Sequence, residues 1–345
     1  MAPSKKKTTG TLLLAGDIGA SNTRLGLYPL NGDHRTPLRV GTYKGSEYSG
    51  LGEILHDFLG EDSDAVVAAC FGAAGPVVAG RVKLTNLAWI VDSVELLAEF
   101  SWQNVWLLND LQAIANAVPV LKHNELHTLN VGVPESHGNI VAIGPGTGLG
   151  IAYLTWAAGR YHPHASEGGH SDFAPANAVQ DELLSFLRKT YRQVAIEHVA
   201  SGLGLPNVYE FLKTSGRARE PQWLAAELAG AEDVNPIIVK HALAQSPRSE
   251  ICQMTVQIFV DVLAAQAGSL ALLFGSTGGV YLGGGIPPLI LPAFERYNFV
   301  KTFISKTAYE YYLERFPVRV ITASEPGLLG AAEFGLQQVL RSKGS

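Results

Sequence analysis

The sequence GDIGASNTRLGLY, from Gly16 to Tyr28, decides the fold class, because it joins two apolar strands through a tight Gly-containing turn. A second stretch of the same design, GPGTGLGIAYL from Gly144 to Leu154, follows in the later half of the chain. We interpret the pair as a weak internal repeat, supported by pattern rather than by residue identity. Glycines in such turns let backbone amides approach an anion, so two such turns could hold the phosphates of one nucleotide between two domains.

The glycines fit no other phosphate-binding motif. The sequence has no Gly-x-x-x-x-Gly-Lys-[Ser/Thr] P-loop, and the glycines from Gly144 to Gly150 alternate, which misses the spacing of a dinucleotide fingerprint. Ordinary hairpin turns remain the alternative for either turn taken alone. The first turn favours a nucleotide site more strongly, because Asp17 ends its strand with a carboxylate that could hold Mg²⁺ directly or through water.

Strands and helices alternate around the first turn, which predicts an α/β layer architecture. The apolar segments TLLLAGD, DAVVAACFGAAG and NVWLLND are typical of buried strands, whereas SVELLAEF and LQAIANAVPVL have helical spacing. At 345 residues, the chain is longer than one typical domain. We therefore expect a small α/β domain over residues 1–121 and a large one over 122–325, with the last helix, 326–345, returning to the small domain.

Composition excludes several classes of protein. With 47% hydrophobic and 17% charged residues the chain can bury large cores, and its net charge of −5 gives no general attraction for nucleic acid or anionic membranes. Cys70 and Cys252 cannot supply a disulfide framework or a thiolate zinc site. The most apolar long stretch, near Phe259 to Phe274, contains Asp261 and Gln266, which predicts a buried helix rather than a membrane span. These features are typical of a soluble cytoplasmic protein.

Six motifs, from about Leu13 to the C-terminal helix, resemble those of the bacterial-type glucokinases and occur in the order of that family. The two Gly-turn stretches look like its two phosphate elements, and GGVYLGGGIPP, ending at Pro288, looks like its adenosine element. AAGPVVAGRVKLTNLAWIVDS is similar to its sugar-side loop, LLNDLQA to its catalytic element, and SEGGHSDFAP to its Glu-x-x-His sugar motif.

The resemblance implies a hexokinase-like fold of two actin-like (ribonuclease H-like) domains with a cleft between them. It also implies phosphorylation of glucose at its 6-hydroxyl, with ATP and Mg²⁺. The first turn departs from the family by reading Gly-Ala-Ser instead of Gly-Gly-Thr; Ser21 keeps the hydroxyl, while Ala20 accepts fewer backbone conformations than glycine. The related repressor and open-reading-frame sugar kinases carry a Cys-rich zinc element, which two distant cysteines cannot form, so the zinc-free glucokinase branch is favoured.

Asp110 is the general base that the resemblance implies, since a carboxylate near the 6-hydroxyl could take its proton during transfer. From the residues alone, Asn109 or Asp110 is interpreted as the cap of a helix that begins at Leu111, and both roles can hold for adjacent residues. The residues implied in sugar binding are Asn109, Asp110, Glu167, His170, Glu197 and Asn86, with Thr85 beside it. The residues implied in nucleotide binding are Gly16, Asp17, Ile18, Gly19, Ala20, Ser21, Asn22, Gly146, Thr147, Gly283, Gly284 and Gly285, with Asp17 also holding the metal.

Other functions stay open from the sequence. They are a sugar-responsive regulatory protein of the same fold, a kinase for another hexose, and an actin-type ATPase without a sugar acceptor. A homodimer is expected only from the prevalence of dimers among soluble proteins. HNELH, ending at His127, is interpreted as a polar loop. A metal site is a weak alternative for a cluster that matches no closed zinc pattern: His162, His164, Glu167 and His170.

Overall fold

A computed structural model describes residues 11–19, 21–31, 35–84 and 87–344, with side chains to residue 342. The chain folds into two compact units. The first contains the described residues up to Leu121, the segment Tyr161–Ala165 and the chain from Ala323 onward, and the second contains Lys122–Arg160 and Ser166–Thr322. The sequence analysis places the domain boundaries at 121/122 and 325/326. It does not predict that Tyr161–Ala165 groups with the first unit.

The regular elements alternate as the sequence pattern predicts. The strands are β1 Leu12–Ile18, β2 Asn22–Pro29, β3 Arg39–Lys44, β4 Val66–Ala73, β5 Val77–Val78, β6 Arg81–Lys83, β7 Ile90–Asp92, β8 Asn104–Asn109, β9 Leu126–Asn130, β10 Ile140–Pro145, β11 Leu149–Ala157, β12 Arg160–Ser166, β13 Gly279–Leu282 and β14 Val318–Ile321. The α-helices are α1 Leu51–Leu59, α2 Ser93–Phe100, α3 Asp110–Ala117, α4 Ala178–Leu187, α5 Gly204–Thr214, α6 Gln222–Ala229, α7 Asn235–Leu243, α8 Glu250–Phe274, α9 Leu291–Arg296, α10 Phe299–Ile304, α11 Glu310–Leu313 and α12 Pro326–Gly344. Short 3-10 helices cover Gly45–Glu47, Gly60–Ala65, Val118–Val120, His123–Glu125, Gly168–His170, Ile196–His198, Pro287–Ile290 and Thr307–Tyr309.

The first unit is a three-layer sandwich around a sheet with the strand order β3-β2-β1-β4-β8. Leu14 and Ile18 of β1 pack on one face with residues of α1 and α2. Leu13 and Ala15 pack on the opposite face with residues of α3 and α12, as the alternation of side chains along a strand requires. Because β1, β4 and β8 are parallel, their carboxyl ends meet at one edge of the sheet.

The second unit is built on a sheet with the strand order β12-β11-β10-β13-β14-β9. Its core surrounds α8, which begins at the Ser249 cap and ends at Gly275, a glycine in the left-handed conformation (φ +55°). By length and composition α8 could cross a membrane, but 61% of its most apolar window is buried inside the protein. The sequence prediction of a buried core helix is confirmed.

One local prediction is wrong. HNELH is not a polar loop, since its last residues enter β9 and His127 pairs with Val320 of β14. This short strand owes its conformation to a strand far away in sequence, which a local pattern does not record. Glu197 lies in the 3-10 turn Ile196–His198, and its side chain is 13% exposed.

Candidate active site

The first Gly-containing turn joins β1 to β2, the antiparallel hairpin that the sequence predicts. The Gly19 amide donates to the Asn22 carbonyl (3.0 Å), and a side chain at Gly19 would lie 3.2 Å from the same oxygen. Ser21 is exposed, and its carbonyl accepts from the Gly45 amide (3.0 Å), so neighbouring backbone fixes the turn while the hydroxyl stays accessible. Ala20 lies outside the described residues.

Two of the residues expected in this turn face the core. A Cβ at Gly16 would lie 2.5 Å from Cδ1 of Phe71 and 2.9 Å from Cδ2 of Leu25, so this glycine makes room for packing. Ile18 is fully buried in the same core. Gly16 has no side chain and that of Ile18 lies in the core, so any contact of these two residues with a nucleotide would come from the backbone.

Asp17 carries an unusual carboxylate near the end of β1. Burial is the main reason that its pKa is raised from 3.8 to about 6, and the negative charges of Asp110 and Glu325 raise it further, while Arg24 lowers it. Arg24 itself pairs with Glu325 (Nε to Oε1, 3.5 Å). A half-buried carboxylate with a second carboxylate nearby gains stability from a cation, so this pair fits a divalent metal such as Mg²⁺.

Asn109 and Asp110 lie where β8 ends and α3 begins. Oδ1 of Asn109 accepts from the amides of Leu111 (3.0 Å) and Gln112 (3.3 Å), and Oε1 of Gln112 accepts from the Asn109 amide (3.3 Å). This is a capping box, so the expected capping role belongs to Asn109. Asp110 is the first helical residue; one of its carboxylate oxygens accepts from the Leu111 amide (2.8 Å), which fixes its orientation.

Gly72 of β4 brings Asp110 close to the sheet. It lies in register with Asp17, and a Cβ there would lie 2.9 Å from Cβ of Ala113 and 3.9 Å from Cα of Asp110. The β4 strand separates β1 from β8, and Asp110 directly follows β8, so the two aspartates lie at the same end of the sheet. Absence of a side chain at Gly72 lets α3 approach the strand ends that carry both carboxylates.

The sugar-side loop of the first unit contains the three-stranded sheet β5-β6-β7. It meets the catalytic element at Asn109, where Nδ2 donates to the Gly75 carbonyl (3.2 Å). Gln112 of the same helix contacts β12 instead, where its Nε2 donates to the Pro163 carbonyl (2.9 Å). Asn86 and Thr85, the sugar-site residues expected in this loop, lie outside the described residues.

The second Gly-containing turn joins β10 to β11 in the second unit. The Gly146 amide donates to the Gly148 carbonyl (2.9 Å), so this amide is used within the turn. Amides of a neighbouring loop support the turn from outside: Gly202 donates to the Gly146 carbonyl (2.7 Å) and Leu203 to the Thr147 carbonyl (3.1 Å). Thr147 is exposed, and its hydroxyl is therefore accessible.

The Gly283–Gly285 loop follows β13, which is parallel to β10 and adjacent to it. Gly284 requires glycine, because its φ is +80° and a Cβ would lie 2.9 Å from the Pro145 carbonyl oxygen. Nothing lies within 4 Å of a Cβ built on Gly285, which leaves open space beside the loop. The structure thus brings this loop to the base of the second Gly-containing turn.

Glu197 joins the Glu-x-x-His motif to the second turn. Its Oε1 lies 3.0 Å from Nδ1 of His170, and its Oε2 accepts from the Leu149 amide at 3.4 Å. A Cβ at Gly148 would lie 2.7 Å from Oε2, so the glycine of the turn leaves room for this carboxylate. Glu167 precedes the 3-10 helix Gly168–His170 and is exposed. The structure therefore brings together His170, Glu197 and the second turn within one unit.

No group of three or more His, Cys, Asp or Glu side chains that could hold a metal ion occurs in the described part of the chain. The weak alternative of a metal site among the histidines near His162 is therefore unsupported. Both cysteines are buried and free, and burial raises the pKa of the Cys252 thiol to about 11. A buried thiol with a raised pKa is a weak nucleophile at neutral pH.

Several residues around the candidate site support other side chains and are not among the site residues expected from the sequence. Gly72 and Gly148 create space for Asp110 and Glu197, and nothing in their local sequence marks that task. Gln112 carried a usable signal, because Asn-x-x-Gln at a helix start is the pattern of a capping box. The Arg24–Glu325 pair beside Asp17 joins residues about 300 positions apart and has no sequence signal.

Solved structures of similar proteins identify the fold. A glucokinase from an Antarctic psychrotroph has a TM-score of 0.79 with this structure at 30% identity, covering 95% of this chain and 99% of that one. A ROK family glucokinase from Streptomyces griseus, solved with glucose and AMPPNP, has a TM-score of 0.62 at 20% identity, covering 94% and 99% of the two chains. The chain is thus a protein of the two-domain actin-like fold.

Sequence comparison gives the family within that fold. Residues 14–338 match the sequence model of the Glucokinase family. The glucokinase of Nostoc punctiforme is 35% identical over 334 residues, which cover 93% of this chain and 98% of that protein. The chain belongs to the Glucokinase family.

Proposed function

We propose that this protein transfers the γ-phosphoryl group of ATP to the 6-hydroxyl of glucose, giving glucose 6-phosphate and ADP. One observation supports this most: a chain that matches the Glucokinase family over residues 14–338 keeps Asp110 at the start of α3, oriented by the Leu111 amide and near the charge of Asp17. The relative in Nostoc punctiforme is a glucokinase, and the Streptomyces griseus structure holds glucose together with an ATP analogue.

Asp110 would act as the general base. Its carboxylate would accept the proton of the 6-hydroxyl while the sugar oxygen forms a bond to the γ-phosphorus and the bond to the bridging oxygen of ADP breaks. The capping box at Asn109 holds the first turn of α3 rigidly, so the carboxylate is positioned before the substrate arrives. General bases of this kind contribute about 10²–10⁴-fold to the rate.

Sugar hydroxyls would be bound by carboxylate, imidazole and amide groups that other contacts already orient. Glu197 and His170 hold each other (3.0 Å), and Nδ2 of Asn109 uses one hydrogen on the Gly75 carbonyl, which leaves a second for a hydroxyl. Glu167 and Asn86 complete the proposed set. Glucose is the proposed hexose; the alternatives differ by one hydroxyl or acyl group.

Nucleotide phosphates would contact the two Gly-containing turns, with the Thr147 hydroxyl near the γ-phosphate and the adenosine beside Gly283–Gly285. Asp17 would hold Mg²⁺, directly or through water, because its half-buried carboxylate lies near a second carboxylate and gains from a cation. When bound, the metal would neutralise charge on the phosphates. The remaining nucleotide contacts of the proposal come from the first turn: Gly19, Ala20, Ser21 and Asn22, with backbone contributions from Gly16 and Ile18.

We place this reaction in the cytoplasm, as a carbohydrate phosphorylation step of glycolysis by a soluble enzyme, with a homodimer as the expected assembly. Neither nucleic acid nor membrane is a proposed partner, in keeping with the net charge of −5 and the burial of α8. The two free buried cysteines agree with a reducing compartment.

Replacing Asp110 by Asn tests the proposal, because Asn keeps the volume and the acceptor for the Leu111 amide but removes the base. We expect kcat to fall at least about 100-fold, with the rise in melting temperature caused by glucose retained. The exposed Asp181→Asn change is the matched control and should leave kcat unchanged. Near-normal turnover of the Asp110 variant would remove this residue from the base role.

A further inference from the structure

The first turn of α12 lies against the carboxylate of Asp17. A Cβ built on Gly327, the second residue of the helix, would lie 2.8 Å from Oδ2, 2.9 Å from Cγ and 3.2 Å from Oδ1 of Asp17. An added methyl group would overlap Oδ2 and Cγ, and it would also be in tight contact with Oδ1. Gly327 is buried within the first unit, where both residues belong.

Asp17 has little freedom to move away. Its strand lies between β2 and β4, and its backbone is paired with Arg24 on one side and Gly72 on the other. Aspartate has only two side-chain torsions, so the carboxylate cannot leave the methyl group without turning away from its present direction. On the side of Asp17, a methyl group added at Gly327 can therefore be accommodated only if the carboxylate turns away.

The helix cannot retreat either. A Cβ at Gly330 would overlap the Ala113 carbonyl oxygen, which shows how closely α12 crosses α3, and Nδ2 of the buried Asn116 donates to the Gly330 carbonyl (3.0 Å). Along the same helix, Leu328 and Ala331 are buried in the core that α12 shares with α3 and the sheet. Because α12 is fixed by these contacts, the missing side chain at Gly327 is what leaves room for the carboxylate.

We propose that Gly327 is a positioning residue of the phosphoryl-transfer site, whose lack of a side chain holds the Asp17 carboxylate in the direction from which it would bind Mg²⁺. The proposal rests on the proposed function for its catalytic meaning. The steric part of the proposal does not depend on that function, because Gly327 and Asp17 lie against each other in the protein without ligands.

A double-mutant cycle between Gly327→Ala and Asp17→Ala tests the steric part, with urea unfolding followed without nucleotide or metal. In the native background, Gly327→Ala should lower the folding equilibrium constant about tenfold. In the Asp17→Ala background the carboxylate is gone and alanine is the better helix former, so the same change should be neutral or stabilising. Equal destabilisation in both backgrounds would overturn the proposal.

Gly330→Ala is the matched control, because it adds the same methyl group to the same helix against the Ala113 backbone. Its destabilisation should be the same with or without the Asp17 side chain. If Gly327→Ala alone does not fold, recovery of folding in the double variant supports the proposal, and failure of both variants to fold overturns it.

Titration of MgCl₂ at fixed AMPPNP, followed by isothermal calorimetry, tests the metal part. Gly327→Ala should raise the half-saturating Mg²⁺ concentration about tenfold and leave the glucose Kd unchanged. An unchanged Mg²⁺ requirement beside a positive double-mutant cycle would overturn the positioning role and leave only packing. If the native protein itself binds no nucleotide, the proposed function fails, and the cycle still decides the steric part.

Discussion

Replacing Asp17 by Asn should stabilise the ligand-free protein at neutral pH. The pKa of Asp17 is raised from 3.8 to about 6, chiefly by burial, so the folded state disfavours the charged form. Because the pKa of Asp17 is about 2 higher in the folded state, its charge lowers the free energy of unfolding at pH 7.5 by about 3 kcal/mol. This is an upper value, because the unfolded chain keeps some structure. The neutral amide of Asn removes this penalty while keeping the shape, so we expect a gain of about 1–3 kcal/mol.

The pH dependence gives the sign of this effect. Because the folded pKa lies above the unfolded one, the folded state binds the proton more tightly, and the penalty is fully present above about pH 6. As the pH falls from 7.5 towards 4, Asp17 becomes protonated in the folded state first, and its contribution makes the native protein more stable. The Asp17→Asn variant lacks this contribution, so the difference between the two proteins should shrink towards acid pH.

Urea unfolding followed by tryptophan fluorescence, between pH 4.5 and 7.5 without nucleotide or metal, measures this difference. Trp102 and Trp106 report on the first unit, which carries Asp17. Asp181→Asn removes a charge at an exposed position and should change the unfolding free energy by less than about 0.5 kcal/mol. A destabilised Asp17→Asn variant, or one whose gain does not depend on pH, would show that the charge of Asp17 does not destabilise the folded protein.

Changes at two further residues, Gly148 and Asn109, should separate packing or capping from substrate binding. Gly148→Ala should displace Glu197 from His170 and from the Leu149 amide. In steady-state kinetics we expect the KM for glucose to rise about tenfold, while the KM for ATP changes less than about threefold. A larger effect on the KM for ATP would contradict this expectation. Asn109→Ala should lower the unfolding free energy by about 1–2 kcal/mol through loss of the cap. Asn109→Asp keeps the acceptor and should retain most of that stability, but it removes the Nδ2 donor and should therefore raise the KM for glucose; equal stability losses in the two variants would argue against the capping role.

The elements that the sequence predicted are those whose pattern is local. The strands at Leu12–Ile18 and Ile140–Pro145 are continuous apolar runs ending in glycine turns, and α3 follows an Asn-Asp pair that both caps and begins a helix. Two- and three-residue strands such as Val77–Val78 carry no such pattern. The pairing of such strands depends on neighbouring backbone, so the local sequence does not predict the small sheet of the sugar-side loop.

The candidate site was predictable as a set of polar residues but not as an arrangement. The strand end before the first turn points to Asp17 as a metal-holding carboxylate, whereas the roles of Asp110 and Glu197 come from the family resemblance, and nothing in the local sequence of Glu197 predicts its burial. The glycines that make room for these carboxylates contribute through distant neighbours: Gly72 through Ala113, and Gly327 through Asp17. Such contacts exist only in the folded chain.

Glucose kinase activity is tested by measuring Mg²⁺-dependent release of ADP from ATP with and without glucose. We predict that release depends on glucose and on Mg²⁺, yields glucose 6-phosphate, and falls at least about 100-fold in Asp110→Asn. A panel of other hexoses in the same assay ranks the substrates. Release that is independent of every sugar would indicate an ATPase instead. Binding of glucose without any release would contradict the kinase assignment and favour a regulatory protein of the same fold.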